Sequence, residues 1–93
     1  MDTLIIESNT FQGNCIPILE AKLLLIIGNN GFLGCGYFNL STANKMNQAL
    51  AIVTGVSNYD EMLKAQVKAV SDAALKMGVQ IGMSGKEALL LMK

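Results

Sequence analysis

The stretch KLLLIIGNNGFLGCGYF, Lys22 to Phe38, decides the fold. Two apolar runs flank the break Gly28–Gly31. Asparagine and glycine tolerate the positive φ of tight turns, so the break predicts a β-hairpin. A turn on Asn30 and Gly31 sets Cys35 opposite Ile26, and a turn on Asn29 and Asn30 sets it opposite Leu24. These registers differ by two residues, so both sort the side chains onto the same two faces. Leu33, Cys35 and Tyr37 share one face with Leu24 and Ile26. Phe32, Gly34, Gly36 and Phe38 share the other with Leu23, Leu25 and Ile27. Gly34 and Gly36 then form a trough between two phenylalanines, open to close approach by a helix or another backbone. Leu23–Ile27, apolar on both faces, reads as a strand covered on both sides.

Upstream, TLIIE (Thr3–Glu7) reads as a strand, punctuated by Ser8, Asn9 and Thr10. NCIPILEA reads as another, with Pro17 drawing it to a sheet edge or a bend. From Ser41 the period becomes helical: Ala43, Met46, Ala49 and Leu50 fall on one face. AIVTGV predicts a buried strand. NYDEML opens a short helix, with Asn58 and Glu61 at capping-box spacing. VKAVSDAALKMG, Val67–Gly78, has the clearest helical period, through Val67, Val70, Ala74 and Met77. VQIGM is a short strand or connector. SGKEALLLMK ends as a helix, with Ser84 and Glu87 as a second capping box.

Composition bounds the function. The chain has 93 residues, of which 52% are hydrophobic and only 15% charged, against roughly 25% charged in an average domain. A small monomer has too much surface to cover with so few polar residues, so subunit contacts are expected to hide apolar area. The longest apolar run, Leu23–Ile27, falls far short of the ~20 residues of a spanning helix. MDTLIIESN has no basic leader segment, and the reading is cytoplasmic and membrane-free. Seven lysines balance seven acids without clustering, and arginine is absent, which argues against a nucleic-acid partner. Absence of histidine removes the usual general base and the commonest zinc ligand. Cys15 and Cys35 are not spaced as a metal motif, and in the cytoplasm both stay reduced. Neither metal nor cofactor is expected.

Few residues offer chemistry. Cys35 sits in a glycine-rich strand opposite an apolar residue, where a thiol is more often packing than nucleophile. As a nucleophile it would need a cation, for which Lys22 or Lys45 of a neighbouring subunit is the candidate. The glycines at 31, 34 and 36 do not match the G-x-G-x-x-G order of a dinucleotide loop. Ser84, Gly85 and Lys86 form a glycine-flanked helix start that resembles an anion site, with Gly34 and Gly36 as further ligand-contact candidates. Against this, Ser84 and Glu87 would already occupy the free N–H groups as a capping box.

GFLGCGYFNL, AIVTGVSNYDEML and GVQIGMSGKEALLLM, in that order, resemble the YunC-like family, a domain-of-unknown-function group of small bacterial and archaeal proteins. The resemblance runs from about residue 19 to residue 92. It implies an α+β fold and a tetramer formed through an N-terminal β region, and supplies no catalytic residue. The expectation is one α+β domain over residues 1–93. Its sheet is mixed, mainly antiparallel, with N-terminal β-hairpins and about four helices. Residues 1–20 are assigned to assembly. Functionally it reads as a homo-oligomeric, tetrameric protein, structural or binding a small ligand. The alternative is an enzyme that uses Cys35.

Overall fold

A computed structural model describes residues 1–93. β1 (Asp2–Ile6), β2 (Asn9–Ile18), β3 (Ala21–Ile27) and β4 (Phe32–Gly34) form an antiparallel meander. A parallel neighbour needs a crossover. The crossover here carries α1 (Leu40–Lys45) and delivers β5 (Leu50–Ile52) parallel to β4. After α2 (Tyr59–Lys64), β6 (Ala69–Val70) pairs antiparallel with β5, and α3 (Asp72–Lys76) and α4 (Gly85–Leu91) follow. The six strands lie in the sheet in chain order. The fold is α+β with a mainly antiparallel sheet, N-terminal hairpins and four helices, as the sequence predicts.

The β1–β2 hairpin turns on Glu7 and Ser8, both at positive φ (49 and 68). This pattern matches the right-handed strand twist, and Asn9 Nδ2 closes the turn by donating to Glu7 O at 3.0 Å. The punctuation residue Asn9 thus already belongs to β2. Pro17 lies in the part of β2 beyond the reach of β1, which ends opposite Gly13.

In the central hairpin Leu25 faces Gly34 and Ile27 faces Phe32. This is the register that sets Cys35 against Leu24, and Cys35 N donates to Leu24 O at 3.1 Å. The turn falls on Asn29 and Asn30 rather than on Asn30 and Gly31, with Gly28 N donating to Gly31 O at 2.8 Å, and neither Gly28 nor Gly31 has positive φ. Both glycines are there because Met92 packs against them: a Cβ on Gly31 would lie 2.7 Å from Met92 Sδ.

One face of the sheet carries Phe11, Leu24, Ile26, Leu33, Ala51 and Val53, all essentially inaccessible. α2 and α4 bring Met62, Ala88 and Leu89 onto it. Each large side chain so buried contributes about 1.5–3 kcal/mol. On the other face α1 brings Ala43 against Leu50 and Ile52, with Phe32 and Phe38 beside them. That cover stops at β4. Leu23–Ile27 is therefore buried on one face and largely open on the other, contrary to the expectation of a strand covered on both sides. Its outward neighbours Ile5, Ile16 and Ile18 are exposed as well.

Two further expectations are corrected. Val67–Gly78 is not one helix. Ala69 and Val70 pair with Ile52 and Ala51, so the sheet takes the first half, and the helix starts only after its cap Ser71. Backbone pairing at the open edge of β5, with Lys68 N also donating to Ile52 O at 2.8 Å and Ser71 N to Leu50 O at 2.9 Å, outweighs the helical period here. The trough also differs: Gly36 lies in a turn beyond β4, and the ring of Phe38 folds back onto Gly34. The close neighbour of Gly34 is thus a side chain of its own chain, stacked edge-on to Phe32 with ring centroids 5.4 Å apart.

Tyr59 of α2 ties β1 to the body. Its ring lies over Gly13, and its hydroxyl donates to Asp2 Oδ2 at 2.6 Å. Partial burial, then the Asp2 carboxylate, push its pKa up from 10.0 to about 12. The fold therefore favours the neutral phenol. The contact's contribution to stability is complete below pH 10 and is lost as pH rises through 10 toward 12. Thermal melts of the protein and of Tyr59→Phe are expected to show a stability advantage for tyrosine that shrinks over this window. An advantage constant with pH would contradict the contact.

Candidate functional site

β4 and β5 are the sheet's parallel pair, and the chain leaves both at the same end. The loops that follow, from Cys35 and from Val53, diverge: one leads to α1, the other to α2. Such a fork at the carboxyl ends of parallel strands leaves a crevice. Here it is a cleft of about 580 Å³ lined by Lys22, Cys35, Gly36, Thr54, Gly55 and Ser57, among others. Ligand pockets commonly fall between about 300 and 1,000 Å³.

Lys22 reaches the cleft because it continues the core face of β3 two residues beyond Leu24. Its Nζ donates to Ser57 O at 3.3 Å. It has no carboxylate partner, since the structure's one ion pair is Lys64–Asp60. Cys35 forms the floor and is 5% exposed. Its Sγ accepts a hydrogen bond from Leu24 N at 3.4 Å. Gly36 and Gly55 leave the walls without side chains, Gly55 at φ +70. No acidic residue lines the cleft.

Cys35 and Gly36 thus meet in one cleft, whereas Gly34 lies under Phe38. Ser84, Gly85 and Lys86 do not line it. At the start of α4, Ser84 Oγ accepts from Glu87 N at 3.1 Å and Glu87 Oε1 accepts from Ser84 N at 3.2 Å, a complete capping box. Gly85 is buried against the backbone of Met62, and Lys86 is exposed. Of the two lysines the sequence offers as a cation for Cys35 from a neighbouring subunit, Lys22 lines the cleft of its own chain and Lys45 does not line it. The strand alternation held the signal: Lys22 lies two residues from Leu24 on the same face of β3, and Cys35 N donates to Leu24 O. Thr54, Gly55 and Ser57 had no such signal, because the fork exists only once β5 has paired.

Cys15 and Cys35 are both free. Both flank Leu24, from opposite sides. Two strand spacings separate their Cα atoms by about 9–10 Å, beyond the ~7 Å limit of a disulfide. No group of three or more His, Cys, Asp or Glu residues is placed to hold a metal ion, and no helix is long and apolar enough to cross a membrane. Timed iodoacetamide labelling of the native protein is expected to modify exposed Cys15 first, with Cys35 at least about tenfold slower. Equal rates would show that the cleft opens fully to the thiol.

Known proteins resemble this chain over nearly all its length. The uncharacterized protein YunC of Bacillus subtilis (strain 168) is 29% identical over 93 residues, which is 96% of this chain and 92% of YunC. The crystal structure of TA1206, a protein of unknown function from Thermoplasma acidophilum, superposes with a TM-score of 0.94 at 32% identity. That match covers 99% of this chain and 90% of TA1206. The model of a domain of unknown function, DUF1805, matches residues 34–92, from the floor of the cleft through α4. The resemblance read from the glycine-rich strand and the C-terminal helix is borne out, and the chain belongs to the DUF1805 family.

Proposed function

We propose that the protein is a cytoplasmic homo-oligomer, of tetrameric size, that binds a small ligand. Its subunits assemble through the outward face of β1–β3. The observation that carries this reading is the uncovered face itself. Ile5, Ile16, Ile18, Leu23, Leu25 and Ile27 project from it by strand alternation and pairing. The intervening positions on that face, including Thr3, Thr10, Gln12 and Asn14, carry no charge. An apolar face without charge has nothing to offer a charged partner and matches a second copy of itself. The hairpin tip supports the same reading. Leu19 is 100% exposed and held at φ +54, a conformation unfavourable for a side chain with a Cβ. A neighbouring subunit over the tip would offset that cost. Two free thiols beyond disulfide reach suit a reducing compartment.

Ile16 is 49% exposed, so Ile16→Lys leaves the monomer's core intact and places a charge in the proposed contact. Sedimentation of this variant is expected to show monomer, with melting little changed at high protein dilution. A variant that assembles like the parent would refute this face as the contact.

A second reading has one observation in its favour. Cys35 and Lys22 line the same cleft, so a thiol nucleophile would have a cation at hand within one chain. In Cys15→Ser this reading requires rapid alkylation of Cys35 near neutrality, blocked by a ligand. Labelling only after unfolding would remove it.

A further inference from the structure

We infer that the cleft at the ends of β4 and β5 binds the oxyanion group, carboxylate or phosphoryl, of a small molecule, with Lys22 as its counter-ion. The inference deepens the ligand-binding part of the proposal above and does not depend on assembly.

Three independent observations point to an anion. The first is charge: Lys22 is the cleft's one cation and has no carboxylate partner, and the acid bonded to a lining residue, Glu61, is not among the lining residues itself and is already engaged, its Oε1 accepting from Ser57 N at 2.7 Å. Its ammonium makes one bond, to Ser57 O, and so has donors to spare. The second is the backbone. Gly36, Tyr37, Thr54, Gly55 and Val56 all line the cleft, and their backbone N–H groups donate to no acceptor in the protein. Loop N–H groups left free around a concavity are what holds anions in backbone nests. The third is topology: the cleft sits where open sheets with parallel strands place ligands.

The remaining wall says what the rest of the ligand is like. Tyr37 and Val56 contribute apolar surface, and Thr54 a hydroxyl. A short organic body attached to the oxyanion would lie against them. Inorganic phosphate would engage the same donors without that contact.

The test is a set of two-dimensional amide NMR titrations of the native protein with butyrate, inorganic phosphate, butylamine and chloride, repeated on Lys22→Gln. Butyrate or phosphate is expected to shift the amides of Gly36, Thr54, Gly55 and Val56. Stronger shifts by butyrate would assign a carboxylate ligand with an organic body, and stronger shifts by phosphate a phosphoryl one. Lys22→Gln is expected to weaken binding at least about tenfold, as loss of a charge-assisted contact does, while leaving the solution mass unchanged. Shifts reproduced by chloride, undiminished affinity in Lys22→Gln, or silence of these amides would overturn the inference. Butylamine binding as well as butyrate would overturn the oxyanion assignment and leave ligand binding itself standing.

Discussion

Gly85→Ala is expected to destabilise the protein by about 3 kcal/mol, a loss of ~12–24 °C in Tm for a domain of this size. Two effects oppose each other. Alanine is the better helix former by at most about 1 kcal/mol, and Gly85 is the first residue of α4. Packing decides the sign. A Cβ at this position would collide with the carbonyl oxygen of Met62 and come within 2.8 Å of Leu33 Cδ2. The carbonyl is backbone and cannot rotate away. α4 would have to move off α2, breaking the Gly85 N to Ala65 O bond of 2.9 Å and loosening Ala88, Leu89 and Met92 in the core. Chemical denaturation of the purified variant measures this. A stability equal to or above the parent's would mean that α4 does not pack as described.

Ser71→Ala is expected to cost about 2–4 kcal/mol, although it removes one oxygen. Ser71 is 0% exposed. Its Oγ accepts from Leu50 N at 2.8 Å and from Ala74 N at 3.3 Å, and donates to Gln48 O at 2.8 Å. One hydroxyl thus caps α3 and satisfies the entry to β5. Alanine would leave the amide of Leu50 unpaired in the core, which costs about 1–3 kcal/mol. Loss of the helix cap adds about 1 kcal/mol. Ser71→Thr retains the oxygen and is expected to recover part of the loss. An alanine variant within 0.5 kcal/mol of the parent, about the size of an ordinary surface substitution, would show that Ser71 does not join the two elements.

Ser71 also marks where the sequence stopped being legible. The period through Val67, Val70, Ala74 and Met77 is genuine, but it spans two elements. No local signal says that Ile52 will take Ala69 as a strand partner, because that pairing depends on β5 being in place first. The cap at Ser71 was readable only once the helix start was known. Elements governed by nearby residues fared better. The Ser84–Glu87 box forms as spaced. Asn58 Oδ1 accepts from Glu61 N at 2.8 Å, though Glu61 answers to Ser57 N rather than to Asn58. The central hairpin's register was one of the two that the sequence allowed. The cleft's lining is legible in part: Cys35 and Gly36 in the glycine-rich strand, and Lys22 in the alternation of β3. Its loop from Thr54 to Ser57 was not identified, since a crevice between two loops has no sequence period.

The uncovered face of β1–β3 is the claim on which the functional reading stands. Light scattering of the unmodified protein at micromolar concentration tests it most directly. The expected result is a mass several times the 9.9 kDa of one chain, near the fourfold value of a tetramer, and unaffected by ligand. A mass of 9.9 kDa throughout the micromolar range would contradict it.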